Sequence, residues 1–352
     1  MANVQKQFEE FHDRIKLKRF GENETLREKR NIIRDKLEDR LPTIFEKYDE
    51  ECPEFYFLDQ GSYEMGTGTK QLDGGDYDID QGLYFKVSTA DYPDPVVVKE
   101  RVHKALDGHT GDVRIRRPCV TVFYQHDGEP IYHVDIAVYS DGSENPDGKS
   151  KLAKGRQNSA DEYRFWEVSD PQTLSEKIFD RFEGNDRAQF RRIVRYLKRW
   201  KDKNFPTDGN AAPLGIGLTV ATYDDLQPTY ADVVAGKADD LAALRNLAHA
   251  ISNRFTLTWD DDEQLWVRRL IVKLPVEPWN DLFEQMTNNQ MVDLESKLEK
   301  LLEALDTAIG EVDPHEACKK LEKVFGEDFP IPEKEETGKR HAPAIVSSSN
   351  SA

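Results

Sequence analysis

DQGSYEMGTGTKQLDGGDYDIDQGLYF, residues 59–85, is the stretch on which the reading of this chain turns. It holds a Gly61-Ser62 pair, further glycines, and Asp73, Asp76, Asp78 and Asp80 within eight residues, and it ends in an apolar run. Two carboxylates ~4 Å apart repel by about 4 kcal/mol at a surface-like dielectric. A fold keeps such a cluster splayed into water or neutralised by cations, and the spacing separates its members. Asp73 and Asp76 flank Gly74-Gly75 and read as turn residues. Asp78 and Asp80 open a strand, where side chains at i and i+2 share a face. Ile79 and Leu83 then address the core.

A second strand segment, HVDIAVY, sets Asp135 among Val134, Ile136 and Val138. A carboxylate inside an apolar strand is costly unless it is paired or ligates a metal. If the two strands are neighbours, Asp78, Asp80 and Asp135 converge. Such an oxygen-ligand site suits magnesium or manganese. Two ions ~3.5–4 Å apart can clamp the attacking and leaving oxygens of an in-line phosphoryl displacement. Upstream, Gly61 permits close approach of backbone to a ligand. Ser62 and nearby N–H groups suit a triphosphate, better still at the start of a short helix. No GK[ST] is present and the glycine spacing is not a dinucleotide fingerprint. A lone DxD is usually a solvated loop. The combination of strand, Gly-Ser, DxD strand and lone strand Asp is not.

The 352 residues suit about two domains with ample core. Hydrophobic content is 38% and charged content 33%, with a formal net charge of -18. That charge opposes a surface wrapping long nucleic acid. It does not oppose a nucleotide carried in with divalent metal, which supplies positive charge locally. No run of ~18 apolar residues suggests a membrane span, and residues 1–20 lack an apolar signal core. The expected compartment is the cytoplasm. Cys52, Cys119 and Cys318 are odd in number and far apart, so neither a disulfide framework nor a zinc cluster is expected.

Working outward, Leu26, Ile33, Leu37, Leu41, Ile44, Phe45 and Tyr48 predict a long helix over 24–48, capped by Asn23 or Thr25 and kinked at Pro42. EFYFLDQ (54–60) and residues 78–87 read as strands. PCVTVFY and IYHVDIAVYS flank a turn at Asp127-Gly128 and read as a hairpin. Past the polar loop near 141–159, helical periods dominate, at 190–201, 240–255 and 294–309. In the first of these, Phe190, Ile193, Val194 and Leu197 form an apolar stripe bordered by Arg191, Arg195, Lys198 and Lys201. That border reads either as a ligand face or as a solvated basic face. The end, EKEETGKRHAPAIVSSSNSA, has no apolar period and is expected to be disordered alone.

GSYEMGTGTKQLDGGDYDIDQGLYF with HVDIAVY resembles the signature of the polymerase-β-like nucleotidyltransferases. The resemblance is greatest to the CD-NTases, the cGAS/DncV-like bacterial enzymes that make cyclic oligonucleotides for anti-phage signalling. RFWEVSDPQTL, RRIVRYLKRWKD, VKLPVEPWNDLFEQM and KKLEKVFGEDFP look like segments of their helical second lobe. The resemblance implies an α+β fold: a mixed-sheet catalytic lobe over 1–160, a long N-terminal helix spanning both lobes, a helical lobe over 161–332 and a flexible tail over 333–352. It implies that Asp78, Asp80 and Asp135 bind two magnesium ions (manganese is the alternative), with Asp135 nearest the attacking hydroxyl. Gln60, Gly61, Ser62 and Lys198 would bind nucleotide, and His133 shares a strand face with Asp135. Thr219, Thr222 and Tyr223 would lie on a helix beside the cleft. ATP and GTP are the implied substrates, a cyclic di- or trinucleotide the product, and an effector its receiver. A ubiquitin-like conjugation machinery acting at Ala352 is the implied protein partner. No zinc-ribbon cysteine cluster is present, which departs from the animal sensor. The rivals are a linear oligonucleotide synthase, a nucleotidyltransferase modifying RNA or protein, and a silent nucleotide-binding module.

Overall fold

The computed structural model describes residues 2–17, 24–72, 77–126, 129–206 and 211–334. The expected turn at Asp127-Gly128, the cap at Asn23, Asp73, Asp76 and the tail ending at Ala352 lie outside the described residues. The chain opens with α1 (Gln5–Ile15) and α2 (Glu24–Glu46), then β1 (Phe55–Asp59), the short α3 (Gly61–Glu64) and β2 (Tyr77–Phe85). α4 (Pro95–Leu106), β3 (Val113–Ile115), β4 (Val120–His126), β5 (Glu129–Ser140), β6 (Lys151–Lys154) and β7 (Phe165–Val168) follow. Then come α5 (Pro171–Asp180), α6 (Gly184–Asn204), α7 (Gly215–Asp225), the β8 (Tyr230–Asp232) and β9 (Lys237–Ala238) ribbon, and α8 (Asp240–Asn253). The β10 (Thr256–Asp260) and β11 (Leu265–Arg269) hairpin, α9 (Asn288–Gly310) and α10 (Pro314–Phe325) complete it.

The mixed sheet runs β1-β2-β5-β4-β3, with β6 on β5 and β7 on β6. β2 and β5 are parallel; β1/β2 and β4/β5 are antiparallel. Strand alternation sorts its two faces. Ile79, Leu83, Phe85, Val120, Val122, Val134, Ile136 and Val138 form one core with α2 and α4. Asp78, Asp80 and Asp135 stand on the opposite face, because Asp80 is the register partner of Asp135. A one-residue slip would exchange these faces, so the apolar pattern sets the register of the site.

The single helix expected to span both halves is instead divided between α1 and α2. α2 runs through Pro42 to Glu46, and its Ile33, Leu37, Leu41 and Phe45 all enter the sheet-side core. The reach to the helical half belongs to α1, whose Phe8, Phe11 and Ile15 join the second core. There Phe11 stacks on Tyr196 of α6 at 5.3 Å, and Phe8 meets Phe329 at 5.1 Å. Fully buried Asp240 closes this junction. It accepts two hydrogen bonds from Arg192 at 2.6 and 2.8 Å and one from the Tyr196 hydroxyl at 3.0 Å. Among the described residues no helix is long and apolar enough to cross a membrane.

α4 starts on an Asp94 cap with Pro95 in its first turn. Its Lys99 is fully buried and donates to the carbonyls of Arg116, Arg117 and Gly155 at 2.6–2.9 Å. Burial lowers its pKa to about 8. Lys99→Met removes the ammonium from three carbonyls, of which Arg117 O keeps the Gly155 N–H, so unfolding in urea should show a loss on the order of 3 kcal/mol. A loss below ~0.5 kcal/mol would show that water replaces the ammonium at no cost.

Candidate active site

The parallel pairing of β2 with β5 builds the site. Asp78 is cross-strand from His133, and Asp80 from Asp135. On the other side of β5, Thr121 of β4 is the register partner of Asp135, and its hydroxyl donates to Asp135 Oδ1 at 2.5 Å. His133 Nε2 lies 2.9 Å from Asp78 Oδ1 and 3.9 Å from Asp135 Oδ2. The imidazole therefore stands between two of the three carboxylates. The three share a face but are not gathered about one point: among the described residues no three His, Cys, Asp or Glu side chains are placed to hold an ion. Burial, then the Asp78 and Asp135 charges, push the Asp80 pKa up to about 7, against His133 and Lys198. For Asp80, burial and like charge thus outweigh the nearby cations. Carboxylate oxygens on a shared face, one of them with its charged form disfavoured by burial and its neighbours, fit hard divalent cations.

Gly61 sits against this carboxylate. Its φ is +74°, and an added Cβ would fall 2.0 Å from Asp80 Oδ2. Both facts require glycine. Gly61 and Ser62 open α3, and the Ser62 carbonyl accepts from Thr67 N at 2.9 Å. Gln60 also lines the cleft, but the Tyr139 hydroxyl engages its side-chain carbonyl at 3.3 Å. The cavity between sheet and helices measures about 650 Å³, and Gly61, Ser62, Asp78, Asp80, Lys198 and Thr219 are among its walls. Asp135 lies behind that lining, on Thr121.

Lys198 reaches the cleft, and its setting departs from the solvated reading of the α6 border. It is buried, not solvated, and its amine donates to the carbonyl and hydroxyl of Thr67 at 3.2 and 3.3 Å. Burial, then Lys201 and Arg195, lower its pKa to about 7. Thr219 and Thr222 spend their hydroxyls on the α7 carbonyls of Gly215 and Leu218. Sequence reasoning passed over Thr121 and the cleft walls Leu17, Leu174, Leu214 and Ile216. Thr121 was findable: a threonine alternating with Val120 and Val122 faces the side that carries Asp135, once the hairpin register is known.

Residues 55–139 match the family described as cyclic GMP-AMP synthase DncV-like, nucleotidyltransferase domain. Among solved structures, the GTP-bound form of Vibrio cholerae DncV is similar at TM-score 0.59 and 21% identity, covering 79% of this chain and 69% of that one. Vibrio cholerae DncV cyclic AMP-GMP synthase with the linear intermediate 5′ pppA(3′,5′)pG gives 0.55 and 22%, covering 78% and 69%. A Vibrio cholerae DncV mutant with two aspartates, two positions apart, replaced by alanine gives 0.58 and 20%, covering 79% and 70%. Residues 55–139 thus match a DncV-like nucleotidyltransferase domain, and the chain as a whole is similar in fold to Vibrio cholerae DncV.

Proposed function

We propose that this protein is a nucleotidyltransferase that joins nucleoside triphosphates into a cyclic di- or trinucleotide messenger, releasing pyrophosphate, in defence against phage. The observation that carries the reading is the Asp80–Asp135 register with Gly61 packed on the Asp80 carboxylate. Asp78, Asp80 and Asp135 would hold two magnesium ions, or manganese in their place, which neutralise charge on the triphosphate and on the attacking oxygen. Ser62 and the backbone of α3 hold the donor phosphates. A ribose hydroxyl of the acceptor attacks the donor α-phosphorus, a new P–O ester bond forms, and the bond to pyrophosphate breaks. Asp135 takes the hydroxyl proton, with Thr121 fixing its other oxygen. Repeating the step within the linear product closes the ring. The DncV complex with a linear intermediate supports this order by analogy.

Purified protein incubated with ATP, GTP, CTP and UTP plus magnesium, with products resolved by mass, tests the reading. Cyclic products are expected. Linear chains alone would leave a linear synthase. No product from any NTP, with or without an RNA or protein acceptor, would leave a nucleotide-binding module.

Ser62→Ala should raise KM for the donor NTP about tenfold with little change in kcat, because it holds phosphate in ground and transition state alike. An unchanged KM would remove Ser62 from the site. Lys198→Ala should do the same. Wild-type kinetics for it would show that the amine serves Thr67 alone.

A further inference from the structure

The segment following Ser62 leaves the sheet half and is held by the helical half. Tyr63 is buried in the sheet-side core, but Met65, two residues on, is buried in the helical core. From there α6 grips the backbone carbonyls. Arg195 donates through Nε to Gly68 O at 2.9 Å and through a terminal nitrogen to Gly66 O at 2.5 Å. Lys198 takes Thr67 O at 3.2 Å, and Arg199 takes Lys70 O at 2.8 Å. The chain before α2 adds a third side: Leu17 N donates to Gly68 O, and Lys70 N to Ile15 O. The loop then closes back on the site through Thr67 N and the Ser62 carbonyl at 2.9 Å. Arg195, Lys198 and Arg199 are each at most 8% exposed, so these bonds lie largely out of water.

We propose that Arg195 is a positioning residue for the donor phosphates, acting through the 66–68 loop on Ser62. This rests on the reading of Gly61-Ser62 as the donor site. The planar guanidinium fork spans two carbonyls at a fixed separation, which a lysine ammonium, a single point donor on a flexible stem, does not reproduce. Fixing Gly66 O and Gly68 O fixes the turn between them, and with it the Thr67 amide that anchors Ser62. The grip on the donor nucleotide is thereby set by the helical half through α6.

The test compares wild type, Arg195→Lys, Arg195→Met and Ser62→Ala by steady-state kinetics. Magnesium titrations with non-hydrolysable ATP and GTP analogues, melting curves and amide exchange complete it. Arg195→Lys should fold and melt near wild type, yet raise KM and analogue Kd about tenfold, with kcat within about threefold. Arg195→Met should raise them further. Exchange in residues 62–70 should quicken in both variants while β2 and β5 are unaffected. A lowered melting temperature with KM and Kd unchanged overturns the proposal, leaving Arg195 a purely structural clamp. If Ser62→Ala raises KM and folded Arg195→Lys does not, the proposal falls alone. If neither variant moves KM, or if no analogue binds the wild type, the donor-site reading falls with it. Should both arginine variants fail to fold, exchange on the wild type decides. Bound analogue should protect 66–70 and the facing turns of α6 together, and protection confined to 61–65 overturns the proposal.

Discussion

Gly61→Ala is expected to reduce product formation by roughly 100-fold or more while the protein still folds. Two independent costs meet there. The backbone at φ +74° is strained for any residue with a Cβ, by about 1–2 kcal/mol. The methyl would also lie 2.0 Å from Asp80 Oδ2, 2.7 Å from its Cγ and 2.8 Å from its Cβ. The Asp80 carboxylate must move, and misplacement by about 1 Å at a reacting centre costs two orders of magnitude. Gly108→Ala is the control. It shares the conformational cost at φ +72° but has nothing within 4 Å of the added methyl. It should lose a similar amount of stability and no activity. If both variants keep near-normal turnover, Asp80 does not need the position this structure gives it.

Asp78→Ala with Asp80→Ala should lower turnover by at least ~1000-fold, since in the proposed mechanism the ions these carboxylates would hold supply several kcal/mol of charge stabilisation at the phosphorus. Near-normal turnover by the folded double mutant would sink the mechanism. Stability should move the other way. The Asp80 pKa is raised from 3.8 to about 7 in the folded protein. The folded state therefore binds more protons than the unfolded one between those values, and stability falls as pH rises through that window. In metal-free buffer at pH 8, Asp80→Asn should stabilise the protein by on the order of 1–3 kcal/mol, discounted for the part of the carboxylate open to the cleft. At pH 4 the gain should shrink towards zero. A gain independent of pH would mean that relief of packing, not of charge, is being measured.

Much of this was legible in the chain because the relevant signals are local. Asp78 and Asp80 at i and i+2 declare one strand face, and Asp135 declares itself by interrupting apolar residues. The stripe Phe190, Ile193, Val194 and Leu197 gave α6, seen from Gly184 to Asn204. α4 was missed because PVVV reads as readily for a strand; its Asp94 cap was the available sign. Thr121 and the division of labour between α1 and α2 were missed for a different reason. Each depends on which distant surface a side chain meets, and no local period encodes that. The basic border of α6 shows the limit best. Its residues could be counted in the sequence, but Arg195 and Lys198 take backbone carbonyls as partners, which no side-chain pattern records.

The aromatic contacts of α1 bear on how the chain is born. Phe8 and Phe11 are made long before Phe325 and Phe329, the rings against which they pack. At the usual 5–20 residues per second, the first helix waits roughly 15–60 s for its last neighbours to leave the ribosome. The sheet half, whose Asp80–Asp135 pairing closes within the first 140 residues, can assemble in that interval. The face that carries Asp80 and Asp135 is then laid down on a nascent chain while the helical half still lacks α10. Released chains cut short before residue 325 should show this as protease cleavage within α1 and a protected β2–β5 core. The protein would thus mature by a clasp made between α1 and the segment around Phe325 and Phe329, with the helical wall of the cleft completed only after that segment is made.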